Sequence, residues 1–168
     1  MAARRGAARR PTRVIAWNVN GLRSCASKGF AQWLSKSRAE IVGVQEVRAL
    51  RDELPEAVCR PSGWHTHFTP AVKRGYSGVG LFARRAPHAV ETSLGDPRFD
   101  DEGRLQIARF GRLVVVKGYF PKGSGNQRDN SRVPYKLEFY RALFECLEKQ
   151  RRAGRRVLVI GEDRKSVV

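Results

Sequence analysis

The chain has 168 residues, 41% of them hydrophobic, which is enough for one domain or a large part of one. Thirty-three Lys and Arg residues against sixteen Asp and Glu residues give a net charge of +17, which indicates a polyanionic partner and favours nucleic acid. No apolar run approaches the roughly 18 residues of a membrane-spanning helix, so no membrane attachment is expected.

Residues 1–12 are predicted to be a disordered basic leader, because they are rich in arginine and contain no acidic residue. An organelle-targeting arm is the alternative, whereas the apolar stretch of a secretory signal is missing. The cysteines Cys25, Cys59 and Cys146 are widely spaced and form neither a CxxC pair nor a zinc motif. Cysteines without such pairing are typical of a protein in a reducing compartment, so we expect a cytoplasmic, nucleoid-associated protein.

The chain opens with a β-α-β pattern. Val14–Trp17 and Ile41–Val44 are short apolar runs predicted to be buried strands. Between them, Phe30, Trp33 and Leu34 recur at helical spacing. Further elements are predicted in chain order: a short helix at Asp52–Cys59, a strand at Trp64–Phe68, a turn and strand at Gly75–Phe82, and a hairpin of Leu105–Phe110 and Leu113–Tyr119 closed at Gly111.

The last third contains a polar loop, a helix and a strand. Pro121–Val133 has almost no apolar residue and is predicted to be a loop. The helix after Pro134 is expected to be amphipathic, and a core strand is expected at Arg155–Ile160. Strands outnumber helices and no Gly-rich phosphate loop is present, so the fold class is an α/β sandwich. The predicted apolar face of the helix contains Leu137, Tyr140, Phe144 and Leu147.

Oxygen ligands follow the first two predicted strands. Asn18 and Asn20 end the first strand, and Glu46 ends the second. Mg²⁺ prefers oxygen ligands and is typically held by one or two carboxylates together with a substrate phosphate. The alternative is structural, because asparagines before Gly21 shape turns and a Glu caps the segment that follows it. Spacing alone leaves both interpretations open.

Five longer motifs occur in order and resemble the exodeoxyribonuclease III and abasic-site (AP) endonuclease family of the endonuclease-exonuclease-phosphatase superfamily. The resemblance covers residues 13–161, which we take as part of one such domain. It implies a DNase I-like four-layer α/β sandwich, with two β-sheets flanked by helices. The motifs are WNVNGLRS at Trp17–Ser24, VGVQEV at Val42–Val47, GYSGVGLF at Gly75–Phe82, DDEGR at Asp100–Arg104 and GYFPKGSGNQRDNSR at Gly118–Arg132.

The resemblance also assigns site residues. It implies that Asn18 and Glu46 hold a catalytic Mg²⁺, with Mn²⁺ as the alternative ion, and that Tyr119 lies at the scissile phosphate. From the residues alone, Tyr119 is equally well a packed core aromatic. DNA contacts are implied for Lys73, Tyr76, Asn126 and Arg128, together with the neighbouring Arg74, Lys122 and Gln127.

Three other groups of residues are predicted to have no catalytic role. His65 and His67 alternate along a strand but have no third metal ligand at a suitable spacing. The acidic cluster of Asp100, Asp101 and Glu102 is interpreted as a solvated turn. Arg104 beside it resembles a structural residue of the family.

The pattern of the family breaks at the end of the last strand. The family continues this strand into a Gly-Asp-x-Asn motif and ends in an Asp-His pair, whereas this chain reads Gly161-Glu162-Asp163 and ends five residues later, at Val168. The last six residues, DRKSVV, match one translation of a sequencing-adapter oligonucleotide, so residues 162–168 are predicted to be a non-native tail. A C-terminally truncated domain is expected to leave the apolar face of one sheet uncovered and to be nearly inactive.

For the intact protein, the resemblance implies incision of double-stranded DNA 5′ to abasic sites, together with 3′–5′ exonuclease and 3′-repair activity, by a monomer. One alternative keeps the fold but changes the substrate, since related phosphodiesterases cleave phosphoinositides, sphingolipids or undamaged DNA. The other alternative is a basic fragment that binds DNA without catalysis.

Overall fold

The computed structural model describes residues 12–125 and 129–162. Within them the chain forms eight strands, five α-helices and one 3₁₀ turn at Arg51–Glu53. The strands are β1 Val14–Asn18, β2 Ile41–Gln45, β3 His65–Thr69, β4 Val79–Ala83, β5 Ala89–Glu91, β6 Leu105–Phe110, β7 Leu113–Tyr119 and β8 Arg156–Glu162. The helices are α1 Leu22–Ser27, α2 Phe30–Lys36, α3 Glu56–Cys59, α4 Pro97–Asp100 and α5 Val133–Arg152.

Two four-stranded sheets are formed. Sheet A has the strand order β1-β2-β4-β3 and sheet B the order β5-β6-β7-β8. Each sheet contains one parallel pair, β1 with β2 and β7 with β8, and the other pairs are antiparallel. The predicted β-α-β opening is confirmed by the parallel β1–β2 pair, and the predicted hairpin is confirmed with Gly111 in its turn at φ 63°.

The two sheets pack face to face between layers of helices. Apolar residues of β2, β4, β6 and β7 fill the space between the sheets. The helices α1 and α2 cover the outer face of sheet A through Leu22, Phe30 and Leu34, all at most 1% exposed. On the outer face of sheet B, α5 packs through Phe139 and Leu143. The predicted arrangement of two sheets flanked by helices is therefore confirmed.

The space between the sheets becomes polar toward one end. At the end of β2, Gln45 is 1% exposed, and Gln106 and Lys117 of sheet B are equally buried. Gln106 donates to the carbonyl oxygen of His67 at 2.9 Å, which joins the two sheets. A Cβ on Gly43 would lie 2.4 Å from Cδ of Lys117, so glycine at this position leaves room for the lysine side chain between the sheets. The polar end also contains the candidate site.

The prediction for the apolar face of α5 is confirmed for Leu147, which packs against the core of sheet B, and is wrong for Leu137 and Phe144. The residues that face sheet B are Phe139 and Leu143, with exposed fractions of 0% and 2%. Leu137 and Phe144, which were assigned to the core face, are each 60% exposed. The helix carries apolar residues on two sides, and spacing alone does not reveal which side the sheet covers.

The difference in exposure between Phe139 and Phe144 predicts that replacement by alanine destabilises the protein by different amounts at these two positions of α5. Phe139→Ala is expected to destabilise the protein by about 3–5 kcal/mol, because it opens a cavity under α5. Phe144→Ala is expected to cost less than about 1 kcal/mol, because its ring is already largely in water. Urea unfolding of the two variants measures both costs, and equal losses would contradict the packing described.

We expected the apolar face of one sheet to be uncovered. Within residues 12–125 and 129–162 this is not so, because the two sheets cover each other. On the strands, the exposed large apolar residues lie at sheet edges: Trp17 of β1 and Leu158 and Val159 of β8 are 36–40% exposed. No helix in the described part of the chain is long and apolar enough to cross a membrane.

Candidate active site

Three functional side chains meet at the polar end of the sandwich. Asn18 is the last residue of β1, and Glu46 directly follows β2. Since β1 and β2 are parallel neighbours, both side chains emerge at the same edge of sheet A. Tyr119 ends β7 of sheet B and reaches across the gap between the sheets. The structure therefore brings together the three residues predicted to bind metal and phosphate.

Glu46 is the centre of this group and is only 1% exposed. Its Oε1 accepts hydrogen bonds from Nδ2 of Asn18 at 2.9 Å and from the hydroxyl of Tyr119 at 2.8 Å. Its Oε2 accepts a charge-assisted bond of 2.5 Å from Arg48. A buried carboxylate needs such partners, because removing a charge from water is costly. The carboxylate is thus held in one orientation before any ligand arrives.

The backbone around Glu46 has an unusual conformation. Asn20, Glu46, Arg48 and Ser77 have positive φ angles of 47–56°, although none of them is glycine. Such conformations cost about 1–3 kcal/mol each and persist where surrounding contacts enforce them. Here the backbone N–H of Gly21 donates to the Glu46 carbonyl, and that of Arg48 donates to Ser77. The loops after β1 and β2 and before β4 are therefore locked to one another at the site.

Arg104 connects the two tyrosines of the site. Its guanidinium donates to the Tyr119 carbonyl and to the Tyr76 hydroxyl, both at 3.0 Å. It also lies over both rings, 4.9 Å from the Tyr119 centroid and 5.9 Å from that of Tyr76. Arg104 is 4% exposed and touches residues of the site, so its position directly affects theirs. The sequence indicated only a structural residue here.

The interpretation of Glu102 as part of a solvated turn is wrong. Its carboxylate pairs with Arg104 and accepts hydrogen bonds from Tyr135 at 2.9 Å and from Arg132 at 3.3 Å. Burial by itself raises the pKa of the Glu102 carboxyl, but Arg104, Tyr135 and Arg132 together hold that pKa below its ordinary value. Burial and the charge of Glu102 raise the pKa of Tyr135 to about 12. The Glu102 carboxyl, which forms the ion pair with Arg104, is therefore ionised at neutral pH.

The predicted DNA-contacting residues are only partly described. Tyr76 lies beside Tyr119 through their shared contact with Arg104, and the Lys73 ammonium lies 5.7 Å from the Tyr76 ring centroid. Arg74, in contrast, is ion-paired with Glu53. Asn126 and Arg128, with Gln127, lie outside the described residues. Lys73 is exposed at the rim of the site, where a phosphate can approach it.

The donor set of the site suits a hard cation. Among the described residues, no group of three or more His, Cys, Asp or Glu side chains is placed to hold a metal ion. Mg²⁺ does not require such a cage, because it keeps several waters and is typically bound by one or two carboxylates together with a substrate phosphate. Glu46 supplies the carboxylate. The Asn18 amide turns its nitrogen toward Glu46, while its oxygen accepts from the Asn20 N–H at 3.0 Å.

That His65 and His67 have no catalytic role remains a prediction. Burial, followed by the neighbouring charge of His65, lowers the pKa of His67 below its ordinary value. The backbone carbonyl of His67 accepts from Gln106, so this residue contributes to the joint between the sheets.

A family model described as the Endonuclease/Exonuclease/phosphatase family matches residues 15–163. The chain belongs to this family. It is 31% identical over 136 residues to the exodeoxyribonuclease of Bacillus subtilis, covering 80% of this chain and 52% of that protein. It is 25% identical over 150 residues to the DNA-(apurinic or apyrimidinic site) endonuclease of Dictyostelium discoideum, covering 89% of this chain and 41% of that protein.

The fold agrees with this membership. An AP endonuclease from Archaeoglobus fulgidus superimposes with a TM-score of 0.75 at 25% sequence identity, covering 90% of this chain and 56% of that chain. The predicted sandwich class and the predicted resemblance are both confirmed. The chain spans about half the length of these family members.

Proposed function

We propose that the protein to which this segment belongs is a DNA-repair phosphodiesterase that incises DNA on the 5′ side of abasic sites and removes nucleotides or blocking groups from 3′ ends. The observation that carries the proposal is the buried Glu46 carboxylate, which Asn18, Arg48 and Tyr119 hold at the meeting point of the two sheets. The family membership and the names of the relatives support it.

In this proposal Glu46 and Asn18 hold a Mg²⁺ ion, with Mn²⁺ as a substitute. A bound divalent cation stabilises the charge that develops at phosphorus and on the leaving oxygen. Tyr119 already directs its hydroxyl to Glu46, so the same hydroxyl is positioned to donate to a phosphate oxygen held there. Arg104 fixes the Tyr119 backbone, and Arg48 places a positive charge beside the carboxylate.

The substrate contacts in this proposal lie around Tyr76. The Lys73 ammonium and the Arg104 guanidinium lie 5.7 Å and 5.9 Å from its ring centroid, so two cations are close to this ring. Backbone phosphates of DNA are bound by such cations without regard to sequence. The net charge of +17 supports DNA as the substrate over a smaller phosphodiester.

The test is an incision assay with a DNA duplex that carries a single abasic site, run with Mg²⁺ and with a chelator. We expect metal-dependent cleavage 5′ to the abasic site by the protein that carries this segment, and almost none by the 168-residue chain alone. A phosphoinositide substrate is assayed in parallel. Cleavage of the lipid headgroup instead of DNA would replace the proposed substrate, and DNA binding without cleavage by either protein would favour the non-catalytic alternative.

A further inference from the structure

Arginines also accumulate at the end of the sandwich opposite to the candidate active site. Strand pairing places the starts of β1, β2, β7 and β8 and the end of β4 at this end. Seven arginines next to these strand ends define what we call the arginine end. They are Arg13, Arg38, Arg84, Arg85, Arg112, Arg155 and Arg156.

Little negative charge compensates the arginine end. Within the described part of the chain, none of its seven arginines forms an ion pair with an acidic side chain. One acidic residue, Glu40, lies within this end, where its backbone bonds to Arg13 and Arg84. Farther out, Glu91 is paired with Arg109 at 3.2 Å and Glu148 with Arg151 at 2.8 Å. Six of the seven arginines are exposed, and Arg155 is half-buried.

The arginines are held close together by the strand ladder. The Arg156 N–H donates to the Arg112 carbonyl at 2.8 Å, and the Arg112 guanidinium donates to the Gly154 carbonyl at 3.2 Å. Arg13 immediately precedes β1, which lies against β8. Neighbouring strands are about 5 Å apart and packed sheets about 10 Å apart, so the cluster forms one continuous surface.

The arginine end is too far from the candidate site for both to contact the same stretch of DNA. The seven residues of β7 extend over about 20 Å from Leu113, near the arginine end, to Tyr119 in the site. The two ends also face in opposite directions. A duplex held at Tyr119 therefore leaves the arginine end open to another DNA segment.

The chemistry of this surface fits a phosphate backbone better than bases. Its arginines offer planar, permanently charged donors that match phosphate oxygens. Of the aromatic rings at this end, Trp64 is 7% exposed and covered by the Arg84 guanidinium at 4.0 Å, and Phe110 packs against the core between the sheets. Stacking on unpaired bases needs exposed aromatic rings, so a double-stranded, sequence-independent partner is favoured.

We propose that the arginine end is a second DNA-binding surface, which holds the phosphate backbone of undamaged duplex DNA while the candidate site remains open. It binds without sequence preference and contributes to salt-dependent retention on DNA. DNA binding by this surface does not depend on hydrolysis, so this proposal is tested separately from the proposed function.

The test compares two double variants of the full chain that lose the same charge. Arg112→Gln with Arg156→Gln removes two of the seven charges of the arginine end, whereas Arg60→Gln with Arg98→Gln removes two exposed arginines that are already ion-paired elsewhere. Binding of a short undamaged duplex is measured over a salt series in a chelator. Each lost phosphate contact lowers the slope of log K against log salt by about 0.9, so the first variant should lose about 1.8.

The control variant is expected to keep the slope of the unmodified chain, and both variants are expected to stay folded with only small shifts in thermal unfolding, because all four side chains lie at the surface. Equal loss of slope in both variants would mean that net charge alone drives binding. An unchanged slope in the first variant would mean that the arginine end does not contact DNA. Either result overturns the proposal, and neither bears on the incision assay.

Discussion

Glu46→Gln is expected to lower metal-dependent incision at an abasic site by about three orders of magnitude in the protein that carries this segment. The amide keeps the shape of the side chain and part of its hydrogen bonding but removes the negative charge that binds a cation. Losing several kcal/mol of transition-state stabilisation corresponds to a decrease of this size. The measurement is kcat/KM on a DNA duplex with one abasic site, together with the binding of Mn²⁺ by titration calorimetry.

The matched control for this prediction is Glu56→Gln. Glu56 is an exposed helical residue whose ion pair with Arg60 is also exposed, so both activity and metal binding are expected to be retained. Glu46→Gln leaves Arg48 without its partner, but Arg48 is 42% exposed and can be hydrated. If the variant unfolds at the same temperature as the unmodified protein and still cleaves DNA at an ordinary rate, Glu46 is not the metal ligand.

Arg104→Met is expected to cost about 3–5 kcal/mol of stability. Methionine keeps the length of the side chain, but the half-buried Glu102 loses its principal counter-charge, and the Tyr76 hydroxyl and the Tyr119 carbonyl each lose a donor. Breaking a buried ion pair from one side costs this much because the remaining charge stays out of water. Urea unfolding at neutral pH measures the loss.

The control here is Arg98→Met. Arg98 pairs with Asp96 and Glu138, yet its side chain is 60% exposed and its charges are screened by water, so its substitution is expected to cost far less stability than that of Arg104. A similar cost in both variants would show that the Arg104 network contributes no more than a surface ion pair.

The pH dependence distinguishes charge from packing in this network. Since the folded-state pKa of Glu102 is lowered, its ionisation contributes stability above its unfolded-state pKa of about 4.3, and this contribution disappears as the pH falls through the lower folded-state value. The difference between Arg104→Met and the unmodified chain should therefore be largest at neutral pH and shrink in acid. A difference that stays constant with pH would assign the cost to lost packing.

Local sequence patterns predicted the main elements well. The strands β1, β2, β6 and β7 appear within one residue of their expected bounds, because each is a short apolar run bounded by polar or glycine residues. Three short elements were not predicted, namely α1, α4 and the three-residue β5. Segments of three to six residues contain too little periodicity to stand out, and their conformation depends on what packs against them.

Some features of the candidate site could likewise be predicted from the sequence, and others could not. The sequence by itself determined that oxygen ligands stand at the ends of the first two strands, that Tyr119 ends another strand, and that the protein is strongly basic. Each of these is a property of residue type and of position along one segment. The motifs then added the family and the expected chemistry of the site.

Only the tertiary structure decided which side of α5 is buried, that the half-buried Glu102 pairs with the buried Arg104 next to the tyrosines, and that the hydroxyl of Tyr119 reaches Glu46. It also decided that seven arginines, far apart in the sequence, gather at one end of the sandwich. The physical reason is that these contacts join residues of different elements. Their energies depend on how the two sheets and α5 pack together, which periodicity within one segment does not encode.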